Sequence, residues 1–430
     1  MTPRPPTRRL FAVFTLVSGL LGLLAVPSVA ASFASVRGTG GILGGDAAVG
    51  PPEDQATAPA LRATNSQWTD VPNGYWARSA IDAVAGSNTW MRDFGLKTFK
   101  PDNRETRDLF AKAVVMAFAP DESRDPKLKF DDVSSDDPLE PYINVAAKLG
   151  WVLPMGTLFH PDDPVTTVQV HRALLWALGL SDVVAGANAI HTTDGYAFKH
   201  GPTFGVRLLG NSLGLRYNHD RESLDVGPGS RLPRSEVAWS LYRASVIKSS
   251  ESWRLSAARA FKTIHLGPVP ESFRQVVEFG MKFVGYPYIY AGEWYVKTPS
   301  GYCCGAQPRG GFDCSGLMWW VLRAPDGIYD NTRVRPYKGY ILGERSSNDM
   351  AHAIPKDQRL TFDQSRAGDI HFYDSNHDGT IDHVNLFLGW GWVLDSGSNG
   401  VTMIRVVDPD SWYRETFVWG RRLVPANTQS

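Results

Sequence analysis

The chain has 430 residues, in which 44 Lys+Arg balance 44 Asp+Glu. That neutrality argues against a nucleic-acid partner, which would favour a basic surface. Only three cysteines in a chain of this length exclude a disulfide framework as its main support, and the length leaves room for two or more domains.

The N-terminus reads as an export signal over 1–30. Arg4, Arg8 and Arg9 precede an apolar run from Leu10 to Val26, and Ser28-Val29-Ala30 fits a small-x-small cleavage site. Gly19, Gly22 and Pro27 interrupt a run already short for a membrane span, so an uncleaved anchor is the weaker reading. No transmembrane segment is expected after cleavage. Residues 31–65 are rich in Gly, Ala and Pro and lack periodic apolar positions, which predicts a flexible linker.

Residues 66–248 repeat. Phe99-Lys100-Pro101-Asp102 recurs sixty positions on as Phe159-His160-Pro161-Asp162, and Trp68-Thr69-Asp70-Val71 matches Phe130-Asp131-Asp132-Val133. Each turn leads into an apolar helical pattern opened by Thr106-Arg107 or Thr166-Thr167, and a weaker third copy opens at Pro233-Arg234. The units fall at about 66–120, 128–182 and 190–248. A period near sixty predicts stacked helix–loop–helix units. These markers resemble the S-layer homology (SLH) module, which implies attachment to anionic cell-wall polysaccharide. Arg107 and Arg234 sit where a guanidinium and free helix N–H groups both favour an anion, while Thr167 replaces arginine in the second unit. The plainer reading makes these arginines ordinary surface residues and the repeats a spacer.

A connector at 249–267 carries a helical pattern from Trp253 to Ile264 that would make it stiff. From 268 the pattern changes. Phe273, Val276, Val277, Phe279 and Phe283 give residues 271–284 one apolar helical face. Alternation then predicts strands at 369–373, 381–388, 392–396 and 401–407. A helix first and an antiparallel sheet after is an α+β layout.

Chemistry concentrates in this segment. Cys314 stands between Asp313 and Ser315 just before an apolar run, and reads as a thiol at a helix N-terminus, where dipole and free N–H groups favour thiolate. A buried structural cysteine is the commoner fate of a lone Cys. His383 opens an alternating strand whose return turn is Gly389-Trp390-Gly391. A three-residue turn puts His383 opposite Gly397 and diagonal to Asp395 on the same face, so Asp395 can orient the imidazole. Thiol, base and orienter are the parts of a nucleophilic acyl-transfer site, which needs no cofactor. Cys303 and Cys304 read as loop residues or a strained vicinal disulfide, and Cys-Cys-x9-Cys is a poor zinc pattern.

Four ordered pieces carry a closer resemblance. Gly285-Tyr286-Pro287-Tyr288 to Gly292, Phe312-Asp313-Cys314-Ser315-Gly316-Leu317, Ala367-Gly368-Asp369-Ile370, and His383-Val384 to Gly389 resemble the NlpC-type family of papain-like cell-wall cysteine peptidases over 268–425. The resemblance implies cleavage of peptidoglycan stem peptides between D-glutamate and a diamino acid. Carried over, Cys314 attacks, His383 shuttles the proton, Asp395 orients it, Tyr288 assists the oxyanion, and Asp313 and Ser315 line the cleft. Asp395 stands where the family usually has His, Asn385 replaces a customary Gly, and 293–310 is an insertion that makes the bond cleaved uncertain. The fold expected is multi-domain, with all-α SLH-like repeats before an α+β papain-like domain.

Beside the base, Asp374, Asn376, Asp378, Thr380 and Asp382 follow the D-x-N-x-D-G-x-I-D spacing of a calcium loop around Gly379, although the twelfth position is Asn385 rather than Glu. A polar hairpin turn would use the same residue types. The reading is a secreted, wall-associated peptidoglycan hydrolase. The alternatives are a peptidoglycan-binding protein that does not cut, and an amide or acyl transferase using the same thiol.

Overall fold

The computed structural model describes residues 67–124, 128–297, 307–322 and 342–423. The expected export signal at 1–30, the linker at 31–65, and Cys303 and Cys304 lie outside the described residues. Among the described residues no helix is long and apolar enough to cross a membrane.

The sixty-residue repeat is a physical repeat. In the first unit the Asp70 carboxylate accepts from the N–H groups of Phe99 (3.0 Å) and Lys100 (2.7 Å). In the second, Asp132 accepts from Phe159 (2.7 Å) and His160 (2.6 Å). Lys100 and His160 both adopt left-handed backbone, φ 60° and 56°, which explains why an aspartate must cap the turn. Three segments then close on one another. Val165 N–H donates to Glu105 C=O (2.9 Å), Leu232 to Val165 (2.9 Å), and Glu105 to Leu232 (3.1 Å). The expected stack is therefore a ring of three.

Each segment leads into a helix, Arg107–Phe118, Thr167–Ala177 or Arg234–Ser249. Their apolar faces, including Phe110, Leu174 and Leu241, meet in one core with Phe99 and Phe159.

The first side chain of each helix reaches into the next unit. This corrects the expectation that Arg234 faces a wall polymer, whereas Arg107 turns inward yet still lines a pocket of about 290 Å³. Arg107 is buried and donates to the carbonyls of Phe159 and Leu153, both at 2.8 Å. Thr167 donates to Gly227 C=O (2.8 Å). Arg234 is fully enclosed, bound to Phe99 and Met91 carbonyls and to the carboxylates of Asp93 (2.9 Å) and Glu105 (2.5 Å). A guanidinium removed from water needs its hydrogens matched, and at Arg234 the protein's own acceptors match them. No face of Arg234 is left for an external anion.

The connector, which the sequence leaves open, is not one continuous helix. The helix Arg234–Ser249 stops, Ser252–Ala258 begins a separate one, and a 3₁₀ turn Arg259–Thr263 follows. The turn lies against the helix Ser181–Ala187 so closely that a Cβ on Gly186 would fall 2.1 Å from Lys262 C=O. His265–Leu266 then pairs in parallel with His191–Thr192.

The C-terminal part begins with the helix Glu271–Met281, whose Phe273, Val276 and Val277 are buried as their spacing predicts. A five-stranded antiparallel sheet follows: β1 (Ile370–Tyr373), β2 (His383–Gly389), β3 (Trp392–Gly397), β4 (Gly400–Arg405) and β5 (Phe417–Arg421), in spatial order β4-β3-β2-β1-β5. The helix Cys314–Leu322 is buried along its whole length and packs on β2 and β3. The helix Phe204–Ser212 of the third unit covers β4, with Asn211 donating to Val401 C=O (3.3 Å) and Ser212 within 3.1 Å of Thr402 Oγ1. Such cover blunts an edge that would otherwise invite pairing.

Candidate active site

Cys314 is the first residue of its helix and is buried. Asp313 caps the helix by accepting from Gly316 N–H, so the chain turns with the thiol at the helix mouth. Tyr288 runs parallel to Phe312, two residues before the thiol, held by Phe312 N–H to Pro287 C=O and Ile289 N–H to Phe312 C=O, both at 3.2 Å. Ser396 of β3 donates to Phe312 C=O (2.8 Å) and ties that stretch to the sheet.

His383 opens β2, and Cys314 Sγ lies 4.0 Å from the carbonyl oxygen of Asp382, the residue before it. Leu386 pairs with Leu394, and that register sets Asp395 diagonal to His383 on one face. Asp395 Oδ1 is 2.7 Å from His383 Nε2, with both side chains buried. The other carboxylate oxygen accepts from the Tyr413 hydroxyl at 3.3 Å. Burial and the Asp395 charge push the Tyr413 hydroxyl well above the usual phenol range, so it stays a donor. Tyr373, also raised by burial, donates to Asn385 Oδ1 (3.1 Å) on the same face. With Nε2 committed to Asp395, Nδ1 is the imidazole nitrogen left to exchange a proton with a thiol.

Asp313 and Ser315, expected to line a substrate cleft, instead turn inward onto Arg345. Its guanidinium reaches Asp313 (2.9 Å), Ser315 Oγ (2.7 Å) and Glu293 (3.0 Å). Burial alone would lower its pKa, but the two carboxylates outweigh that and raise it. Arg345 thus brackets the thiol from both sides in sequence. The third repeat unit also arrives here. Glu222 accepts from Tyr290 N–H, and Arg309 Nε donates to Ser223 C=O (2.7 Å). Burial raises the Glu222 carboxyl, aided by the charges of Asp225 and Asp313. Arg345, Tyr413 and Glu222 carry no sequence signal, because only folding brings them to Asp313, Asp395 and Tyr290.

In the candidate calcium loop the side-chain oxygens accept backbone N–H groups of the loop itself. Asp374 accepts from Asp378 N–H (3.2 Å) and Gly379 N–H (2.8 Å), and Asp378 accepts from Thr380 N–H (2.8 Å). Asn376 Oδ1 also accepts from Asp378 N–H (3.2 Å), while Asp382 folds back on Ser375. Among the described residues no three His, Cys, Asp or Glu side chains converge on one point for a metal.

Residues 285–421 match the NlpC/P60 family. Murein DD-endopeptidase MepH of Escherichia coli is 25% identical over 177 residues, covering 40% of this chain and 54% of that protein. A gamma-D-glutamyl-L-lysine dipeptidyl-peptidase of Bacillus subtilis is 29% identical over 126 residues, 29% of this chain and 32% of that one. The chain thus spans about half of the first relative and a third of the second. Among solved structures, the P60 domain of a Mycobacterium avium subspecies paratuberculosis antigen is 26% identical, with 36% of this chain and 96% of that one covered and a TM-score of 0.25. RipD of Mycobacterium tuberculosis, described as a non-catalytic peptidoglycan-binding protein, is 23% identical over 36% of this chain and 100% of that one, with a TM-score of 0.25. The C-terminal part of this chain is an NlpC/P60 domain, a papain-like α+β fold built on an antiparallel sheet.

Proposed function

We propose that this domain is a peptidoglycan endopeptidase working through a thioacyl intermediate. The observation that carries the reading is the contact of His383 with Asp395, 2.7 Å and buried, at the strand end beside Cys314 Sγ. His383 Nδ1 takes the thiol proton as the sulfur attacks the carbonyl carbon. The carbon–nitrogen bond then breaks, and His383 returns the proton to the departing amine. Water, giving its proton to His383, attacks the thioester and releases the acid with the thiol restored. Asp395 keeps the imidazole in one tautomer and supports its cationic form. Tyr288 and the Cys314 N–H are the candidate donors to the oxyanion.

The bond proposed is that between D-glutamate and a diamino acid, supported by the name of the Bacillus relative. A secreted, wall-associated protein with an export signal at 1–30 suits such a substrate. The repeats, read as SLH-like, would attach to wall polymer through groups other than the buried Arg234. Incubation of purified protein with muropeptides under reducing conditions tests the proposal by mass spectrometry. Cleavage by the wild type that vanishes in Cys314→Ala is expected. Intact muropeptides with the wild type would leave a binding protein instead.

A further inference from the structure

A cavity of about 640 Å³ opens at the far end of the sheet from the thiol. Gly389, which lines it, is six residues along β2 from His383, roughly 20 Å at about 3.3 Å per residue. Its rim is the β2–β3 turn, where Gly389, Trp390 and Gly391 are all left-handed, with φ 83°, 52° and 76°. Glycine adopts that backbone freely, whereas a bulky aromatic residue does so at a cost that tends to accompany function.

Trp390 holds this conformation while 64% exposed. The turn that carries it is closely packed. A Cβ on Gly267 would meet its ring at 3.0 Å, and a Cβ on Gly391 would fall 1.9 Å from Val407. An indole is therefore displayed at the mouth of a cavity, with one edge against Gly267.

The walls supply two further kinds of surface. Phe362, Phe387 and Val407 are apolar. Arg366 and Arg405 are exposed at the cavity, and neither has an ion-pair partner among the described residues. Arg422, by contrast, is held by Asp369 at 3.0 Å. Three arginines against Asp363 and Asp369 leave the lining positive.

We propose that this cavity is a second binding site for a pyranose carrying an acidic substituent. The apolar C–H face of the sugar would lie on Trp390, and its carboxylate would meet Arg366 and Arg405. Flat indole faces suit sugar rings, and guanidinium matches carboxylate. The ring-and-acid chemistry follows from the cavity. Naming the ligand as the acidic amino sugar of a wall glycan rests on the proposed function. Such a site would hold the glycan while the thiol acts on peptide.

The test is saturation-transfer NMR on the full chain, with N-acetylmuramic acid and N-acetylglucosamine as probes that differ in the lactyl carboxylate. N-acetylmuramic acid should bind with a dissociation constant on the order of 1 mM. Trp390→Ala should weaken it about tenfold. Arg405→Ala should weaken it about threefold, and N-acetylglucosamine should bind wild type weaker by a similar factor. Cys314→Ala should bind like wild type, and Trp390→Ala should still cut free stem peptides. No binding, equal binding of the two sugars, or binding undiminished in both Trp390→Ala and Arg405→Ala would overturn the proposal. A protein that binds but does not cut defeats the peptidase reading alone, and one that cuts but does not bind defeats this site alone.

Discussion

Replacing Asp395 separates orientation from charge. In Asp395→Asn, the amide oxygen can still accept from His383 Nε2, where the carboxylate now sits 2.7 Å away. The amide nitrogen would face Tyr413, whose hydroxyl can rotate to accept. Only the charge is lost. A hydrogen bond to a charged group contributes about 1.5–3 kcal/mol and a neutral one about 0.5–1.5 kcal/mol. The difference of about 1–1.5 kcal/mol predicts a fall in kcat/KM of about tenfold. Asp395→Ala removes the partner, strands a buried imidazole N–H and frees the ring to change tautomer, so the loss should reach about 10²- to 10³-fold. Muropeptide cleavage gives the rates, and the pH dependence of Cys314 alkylation by iodoacetamide reads the thiol–imidazole pair directly. An alanine variant as fast as wild type would refute the orienting role. An asparagine variant as slow as alanine would show that charge, not orientation, sets the rate.

Two further outcomes follow from buried groups. His371 is fully buried among Phe362, Phe387 and Phe417, and burial, with the Arg414 charge, pushes its pKa down to about 3. The unfolded chain takes up that proton below about 6.5 and the folded chain does not, so this group costs stability as pH falls from about 6.5 toward 3. His371→Phe should recover about 2 kcal/mol at pH 5 relative to pH 7.5 in denaturant unfolding; an unchanged pH slope would count against the argument. Arg234→Met should destabilise the fold by about 3–5 kcal/mol by leaving Glu105 buried without its cation, while Asp93 keeps Lys112. A melting temperature within a degree or so of wild type would restore the view of Arg234 as a free anion ligand.

How much could be seen beforehand depended on the range of the interaction. The helix at Cys314 is local, written in an apolar run behind a capping aspartate. Asp395 follows from period-two alternation and one turn length, which fix a diagonal twelve residues apart. The repeat was visible because the turns recur, whereas its closure was not: the links from Glu105 to Val165 and Leu232 are long-range and leave no periodic mark. A helix-start arginine such as Arg234 looks the same in sequence whether it meets solvent or Glu105, 129 positions away. Arg345 was missed for a like reason, its partners Asp313 and Glu293 being 32 and 52 positions distant. The acidic loop supports two readings in sequence, because capping a tight turn and binding calcium call on the same oxygens. Strand β5 went unread, being five residues with Gly420 inside.

The closed triangle at Glu105, Val165 and Leu232 also limits how such a protein can evolve. An open solenoid lengthens by duplicating a module, since each new copy finds a free end to stack on. Here the first module already donates to the last, so no end is free. A fourth copy would have to break a backbone link before making its own. Diversification in this architecture must come through substitution and loop growth on the existing three, as at 220–230, where the third has extended a loop to Tyr290 and Arg309.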